Sequence, residues 1–207
     1  GGVGFVATGG DQVTVTDLAV QPDGKILVAG YDLANGNWDW IIARFHASGS
    51  VDTSFGTGGT VRTDFSRPQI SNPIDFLSSI LVLPDGRIVA GGLTSTTDQM
   101  STGNRVFAMA RYLPDGSLDP SFAGGGKHVF TFTASGAPME NIADLLLLDD
   151  GKILAAANGG SDTALIRLHA DGAVDTGFGT AGRIVAASGA AYRDPSQIHM
   201  DADGRII

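Results

Sequence analysis

The sequence contains no cysteine, only one Glu (Glu140) and only three Lys among its 207 residues. Without cysteine, the chain can form neither a disulfide framework nor a thiolate metal site. Glu and Lys favour exposed helix surfaces, and their scarcity argues against a helical fold. No run of apolar residues approaches the roughly 18 that a membrane-spanning helix requires, so we expect no membrane insertion.

The charge is strongly negative, because 13 basic residues stand against 22 acidic ones and give a formal net charge of −9. The basic residues are scattered singly along the chain. A surface that follows nucleic-acid phosphates needs clustered Lys and Arg, so we expect no nucleic-acid partner. All acidic residues except one are Asp, and the chain has 30 Gly. Both residue types favour tight turns, which predicts an all-β fold.

A hairpin motif occurs four times along the chain. Each copy places a turn of the Pro-Asp-Gly type next to apolar runs, and the turn glycines are Gly24, Gly86, Gly151 and Gly204. In such a turn Pro presets φ, Asp hydrogen-bonds its own backbone and Gly accepts a positive φ. The third copy has Asp149 in place of the proline. Each turn therefore predicts two antiparallel strands.

A second motif alternates with the first and supplies two more strands per repeat. An apolar strand ends in Arg, an Asp follows eight residues later, and a Phe then precedes a glycine-rich turn and a fourth strand. Several strands are apolar at successive positions, which predicts that both faces of each sheet are buried. The residues of the motif are Arg44, Asp52 and Phe55, then Arg111, Asp119 and Phe122, then Arg167, Asp175 and Phe178.

Repeated four-stranded antiparallel sheets that are covered on both faces indicate a β-propeller, since each blade packs between two neighbours. A parallel β-helix is the alternative, but its coils are shorter and lack tight Asp-Gly hairpins. We predict that 1–207 is a single incomplete propeller of about three and a half blades, at about 1–56, 57–123, 124–179 and 180–207. We expect unseen sequence or another chain to supply the remaining blades.

The two motifs, as they stand at 22–30 and 116–122, resemble the delta-60 repeat, a bacterial repeat of about this length that is expected to form β-propellers. The resemblance covers essentially the whole chain. It implies a bacterial, commonly exported protein, located outside the cell, at its surface or in the periplasm. The resemblance does not point to any particular activity, because the family has no established common function.

The Arg and Asp residues of the second motif recur in each blade, whereas a catalytic centre is singular. We therefore predict a structural bond between Arg and Asp, or an Asp that caps its own turn, with the Phe filling the gap between blades. The alternative is a ring of carboxylates that binds a ligand.

The enzymatic alternative for the whole protein is a metal-dependent hydrolase or lactonase with its site in the propeller channel. The residues suspected of holding its metal are His128, His199 and Asp201. Otherwise we expect no cofactor. Calcium or another divalent metal would suit Asp-rich turns, but the sequence lacks both the twelve-residue calcium loop and the glycine-rich nonapeptide of calcium-binding β-rolls.

The unrepeated surface features favour a different function, a non-catalytic module that binds a protein or a glycan, or that spaces other domains. The second blade carries insertions at 66–75 and 94–104, which emerge at the same end of the propeller. Insertions gathered on one end often form the binding surface of a repeat protein. The predicted partner-binding residues are Trp38, Trp40, Asp98 and Arg105. For Trp38 the alternative to partner binding is packing between blades.

Overall fold

The structure is a computed structural model that describes residues 12–34, 36–67, 70, 73–97, 105–131, 133–134, 137–138, 141–159, 162–187, 197–201, 203 and 205–206. These residues form strands and turns, and none of them is helical. Within the same ranges there is accordingly no helix that is long and apolar enough to cross a membrane.

The strands form three four-stranded antiparallel sheets and one short two-stranded ribbon, and within each sheet the strands pair in the order of the sequence. Each four-stranded sheet is one blade of an incomplete β-propeller, as the sequence predicted. Blade 1 consists of β1 (Gln12–Val20), β2 (Ile26–Ala34), β3 (Asn37–Phe45) and β4 (Thr60–Thr63). Blade 2 consists of β5 (Asp75–Val82), β6 (Ile88–Ser95), β7 (Arg105–Tyr112) and β8 (Lys127–Phe130). The ribbon is β9 (Thr133–Ala134) with β10 (Ala137–Pro138), and blade 3 consists of β11 (Asn141–Leu147), β12 (Ile153–Gly159), β13 (Asp162–Leu168) and β14 (Arg183–Ala187).

The repeated hairpin turns have the conformation that their residues predict. Gly24, Gly86 and Gly151 all have positive φ, between 79° and 85°. In each turn the preceding Asp accepts a hydrogen bond from the backbone N–H two residues later, as in the 3.1 Å bond from Lys25 N to Asp23 Oδ1. The third turn adopts the same geometry although it lacks proline.

The sheets are offset by one strand from the predicted blade limits at 56, 123 and 179. Those limits separate the strand before each glycine-rich turn from the strand after it. In the structure these two strands pair with each other, for example Ile42 with Val61. The antiparallel pairing across the turn therefore places β4, β8 and β14 at the end of a blade.

The core lies between the blades, because both faces of the central strands are covered. All eight residues of β6 are buried, as are all residues of β7 except Arg105. Trp40, Leu77 and Tyr112 belong to a cluster between blades 1 and 2, which we call the first joint. A second cluster, around Phe107 and Phe122, fills the second joint between blades 2 and 3. The predicted burial of both faces is confirmed for the central strands of blade 2.

The first strand of each blade contains a β-bulge at the same place, for example between Val15 and Asp17 in β1. In β5 the apolar side chains on either side of the bulge, Leu77 and Ile80, are buried against blade 1. The corresponding side chains of β1, Val15 and Leu18, are 60% and 59% exposed. Among the described residues, no blade covers this face of blade 1.

Candidate functional site

The repeated Arg, Asp and Phe residues form a bonded unit in each blade. In blade 1, Arg44 Nε donates to Asp52 Oδ2 at 2.8 Å, and its guanidinium carbon lies 4.5 Å from the centroid of the Phe55 ring. Arg44 Nη1 also donates to the backbone carbonyl of Pro114 in blade 2 at 2.5 Å. Hydrogen bonds from Ser54 and the charge of Arg44 lower the pKa of Asp52 to about 2.

The unit is repeated with nearly the same geometry in the next two blades. Nε of Arg111 and of Arg167 lies 2.8 Å from its Asp, and the guanidinium carbons lie 4.9 and 4.5 Å from the ring centroids of Phe122 and Phe178. Arg111 also donates to the carbonyl of Ala170 in blade 3. The bond between Arg and Asp forms in all three blades, as predicted, and the units of blades 1 and 2 also connect their blade to the next.

The features that do not repeat lie at the other end of the first joint. We call this end the loop end. Strands β2 and β4 end there and strands β3 and β5 begin there. The connections 64–74 and 96–104 also leave the sheets at this end. The opposite end, with the repeated units and the tight turns, is the turn end. An unrepeated group at a joint is not required to build a blade, so the loop end is the candidate functional site.

Three carboxylates meet at the loop end, from the beginning of β3, the residue after β4 and the first residue of β5. We call Asp39, Asp64 and Asp75 the acidic trio. One oxygen from each lies within 4.8 Å of the other two. Asp39 and Asp75 are buried and Asp64 is exposed. The trio therefore links blade 1 to blade 2 and opens to solvent on one side.

Asp75 is the most unusual member of the trio. Its side chain is fully buried, and Oδ2 accepts a 2.8 Å hydrogen bond from Phe65 N. Oδ1 accepts no hydrogen bond of normal geometry. The Thr94 hydroxyl lies close enough to lower the pKa of Asp75, but it donates its hydrogen bond to the Ser95 carbonyl at 3.4 Å. Burial outweighs these bonds and, with the charges of Asp64 and Asp39, raises the pKa of Asp75 to about 7.

Arg62 forms the ion pairs of this region, and two further cations contact its backbone: Lys127 Nζ donates to the Asp64 carbonyl at 2.9 Å, and Arg67 Nη2 donates to the Ser95 carbonyl at 2.5 Å. Arg62 forms a two-pronged ion pair with the fully buried Asp32 at 2.5 and 2.6 Å, and it reaches Asp39 Oδ2 at 3.1 Å. Burial nevertheless raises the pKa of Asp39. Asp64 accepts hydrogen bonds from the hydroxyl and the N–H of Ser66 at 2.6 and 2.7 Å. The arrangement keeps two carboxylates of the trio largely without a cationic partner.

Half-buried aromatic side chains occupy the same joint. Tyr31 and Phe76 stack with ring centroids 4.1 Å apart, and Trp38 packs edge-on against both at 5.6 and 5.8 Å. Trp38 therefore packs between blades and keeps part of its ring exposed. Trp40 is fully buried against Phe65, so this predicted binding residue is a core residue that a partner cannot reach.

The other predicted binding residues are only partly placed. Arg105 is the first residue of β7, opposite Ser95, and lies at the loop end. Asp98 lies outside the described residues.

The suspected metal ligands are not brought together. His128 lies in β8 with Nδ1 3.1 Å from the Gly172 carbonyl, and burial lowers its pKa. It lines a cavity of about 330 Å³ at the outer part of the second joint. Asp201 bonds Arg205 Nε at 2.8 Å, and His199 lies beside Gln197. Among the described residues, the acidic trio is the one group of three metal-ligand side chains.

Sequence reasoning missed the acidic trio because its members come from three separate strands. A comparison of equivalent positions contains the signal that finds it. Counting from the repeated Arg and from the hairpin glycines, the sequence positions equivalent to Asp39, Asp64 and Asp75 in the next repeat are Val106, Thr131 and Glu140. Two of the three carboxylates are therefore replaced by uncharged residues in that repeat.

A family model described as a domain of unknown function (DUF5122) beta-propeller matches residues 21–55, 83–122 and 148–178, which is just over half of the chain. Each match runs from a hairpin turn to the Phe of the repeated unit. No curated protein matches the chain.

Proposed function

The chain belongs to the DUF5122 β-propeller family, and from that premise we propose that it is a non-catalytic binding module whose partner contacts the loop end of the first joint. One observation carries the proposal. The repeated residues lie at the turn end and join the blades, whereas the acidic trio, Trp38 and the strand ends where the long connections begin all lie at the loop end. Fold alone does not assign a function, so this singular surface is the argument.

The chemistry of the surface favours a carbohydrate over a protein as the partner. The half-exposed Trp38 ring offers an apolar face for the C–H groups of a sugar, and the exposed carboxylate of Asp64 accepts hydrogen bonds from hydroxyl groups. Edge-on packing against Tyr31 and Phe76 holds the Trp38 ring in place before a ligand arrives, which lowers the entropic cost of binding. The resemblance to the delta-60 repeat supports a bacterial, exported protein that meets glycans outside the cytosol.

The test is a glycan array probed with the fluorescently labelled protein. Wild type should bind a subset of glycans, and Trp38→Ala should reduce that signal at least about tenfold, which corresponds to about 1.4 kcal/mol. Leu118→Ala is the matched control, because Leu118 is an exposed apolar residue at the turn end. It should bind as wild type does.

A second variant tests the contribution of the loop. Ser95 and Arg105 are paired across the hairpin, so a two-residue Asn-Gly turn can replace 96–104 without disturbing β6 and β7. This variant should keep its melting temperature and lose glycan binding. Binding that survives both changes, or hydrolysis of the bound glycan, would refute the proposal.

A further inference from the structure

We propose that the acidic trio binds a calcium ion, which ties blade 1 to blade 2 at the loop end of the first joint. The oxygens of Asp39, Asp64 and Asp75 lie within 4.8 Å of one another. Calcium binds oxygen at about 2.3–2.6 Å, so oxygens on opposite sides of one ion are about 4.6–5.2 Å apart. A ligand set made only of carboxylates favours a hard cation over zinc or copper.

An unpartnered buried oxygen points to a ligand independently of the clustering. Asp75 is fully buried, and its Oδ1 accepts no hydrogen bond of normal geometry, since the nearby Thr94 hydroxyl donates to the Ser95 carbonyl. No Lys, Arg or His of the described ranges forms an ion pair with it. Buried polar atoms in native proteins are nearly always paired, and a buried carboxylate oxygen without a donor requires a cation or a proton.

A further oxygen is available beside the trio. Asn37 donates its side-chain N–H to Asp39 Oδ1 at 2.7 Å, and its own Oδ1 is buried without a hydrogen-bond partner. Calcium takes six to eight oxygen ligands, including amide oxygens and waters. Because Asp64 is exposed, an ion held by the trio can keep waters on that side and can enter from solvent.

The charges around the trio favour a divalent ion. Asp32 lies next to the trio, so four carboxylates share this region, whereas Arg62 pairs with Asp32 and Asp39 and Lys127 Nζ contacts the backbone carbonyl of Asp64. A calcium ion bound to the oxygens of the trio would compensate the excess of negative charge.

The site is confined to one joint, which separates it from the scaffold. At the second joint Val106 and Thr131 replace two of the three carboxylates. Since blades 2 and 3 pack together without a trio, the carboxylates are not needed to join blades. The proposal does not depend on glycan binding, because it concerns the joint and not the partner.

Titration of CaCl2 into chelator-treated protein, followed by calorimetry at about pH 8, tests the proposal. Wild type should bind one calcium ion per chain and should melt at a higher temperature in about 5 mM CaCl2 than in EDTA. Asp75→Asn and Asp64→Asn should each weaken binding at least about tenfold. Asp64 is exposed, so its variant reports on binding even where the buried Asp75→Asn substitution impairs folding.

Asp150→Asn is the control, because Asp150 is an exposed turn aspartate of blade 3 outside the trio. It should bind calcium as wild type does. Terbium luminescence excited through Trp38 and Trp40, which flank Asp39 in the sequence, should appear in wild type and be quenched by calcium. The absence of calcium binding in wild type, unchanged binding in both trio variants, or equal binding of MgCl2 would overturn the proposal.

Discussion

Truncation of the same repeated phenylalanine in two blades separates the contribution of a blade interface from that of the blade itself. Phe122 is fully buried in the second joint. Gly172 of blade 3 lies so close that a Cβ atom there would be 2.6 Å from the Phe122 ring, and Arg111 covers the ring at 4.9 Å. Phe178 occupies the equivalent position of blade 3 and is only partly buried.

The difference in burial gives different expected losses of stability. Phe122→Ala removes a fully buried ring and leaves a cavity between two blades, which typically costs about 3–5 kcal/mol. Phe178→Ala removes a ring that is already partly in contact with solvent, so about 1–2 kcal/mol of transfer free energy is lost. The two variants should therefore differ by about 1–4 kcal/mol in the free energy of unfolding.

Equilibrium urea denaturation of the 207-residue chain measures this difference. Circular dichroism should be recorded together with fluorescence, because both tryptophans lie in β3 and their emission reports on blade 1 and its joint with blade 2, whereas circular dichroism reports on all the strands. Coincident transitions by the two probes would establish that the blades unfold together. Equal losses for Phe122→Ala and Phe178→Ala would refute the claim that the ring acts by filling the joint.

Two other predictions concern the turn end. Burial alone would raise the pKa of Asp119, but bonds from Ser121 and Arg111 lower it to about 2. Its pairing therefore stabilises the protein above about pH 4, the ordinary range of Asp, and this contribution disappears as the pH falls towards 2. Melting temperatures should fall over that interval, and Asp119→Asn should melt lower at neutral pH and show a shallower decline; parallel curves would contradict the assignment. Gly172→Ala should destabilise the protein by more than Gly124→Ala, as measured by urea denaturation. Both glycines have positive φ, which costs a substituted Ala about 1–2 kcal/mol, but nothing lies within 4 Å of a Cβ at Gly124.

Local chemistry explains why the fold was predictable from the sequence. The turns at Gly24, Gly86 and Gly151 need residues that tolerate positive φ, and those preferences hold in any surrounding. The repeated spacing from Arg44 to Asp52 likewise predicts a bond within one blade, because both residues flank one turn. Repetition then showed that these residues belong to the scaffold.

The site was not predictable in the same way, because it depends on packing between blades. Asp39, Asp64 and Asp75 follow no spacing motif, and Asp75 joins the other two only because β5 packs against blade 1. The burial of Trp40 was missed for a related reason. In the alternating sequence Trp38-Asp39-Trp40 both tryptophans face the same way, but Trp40 lies deeper in the joint, against Phe65.

The hydrogen-bond acceptors that each blade offers to the Arg of the preceding blade affect how the order and number of blades can change. At the turn end a blade is held by Arg44 or Arg111, whose acceptors in the following blade are the carbonyls of Pro114 and Ala170. A backbone carbonyl is the same in every residue, so the two acceptor positions carry unrelated side chains. Whole blades can accordingly be duplicated, deleted or reordered without matched substitutions at these contacts. The acidic trio obeys the opposite rule: it exists only where two particular blades are neighbours, so it would be lost when their order changes although the propeller itself would persist.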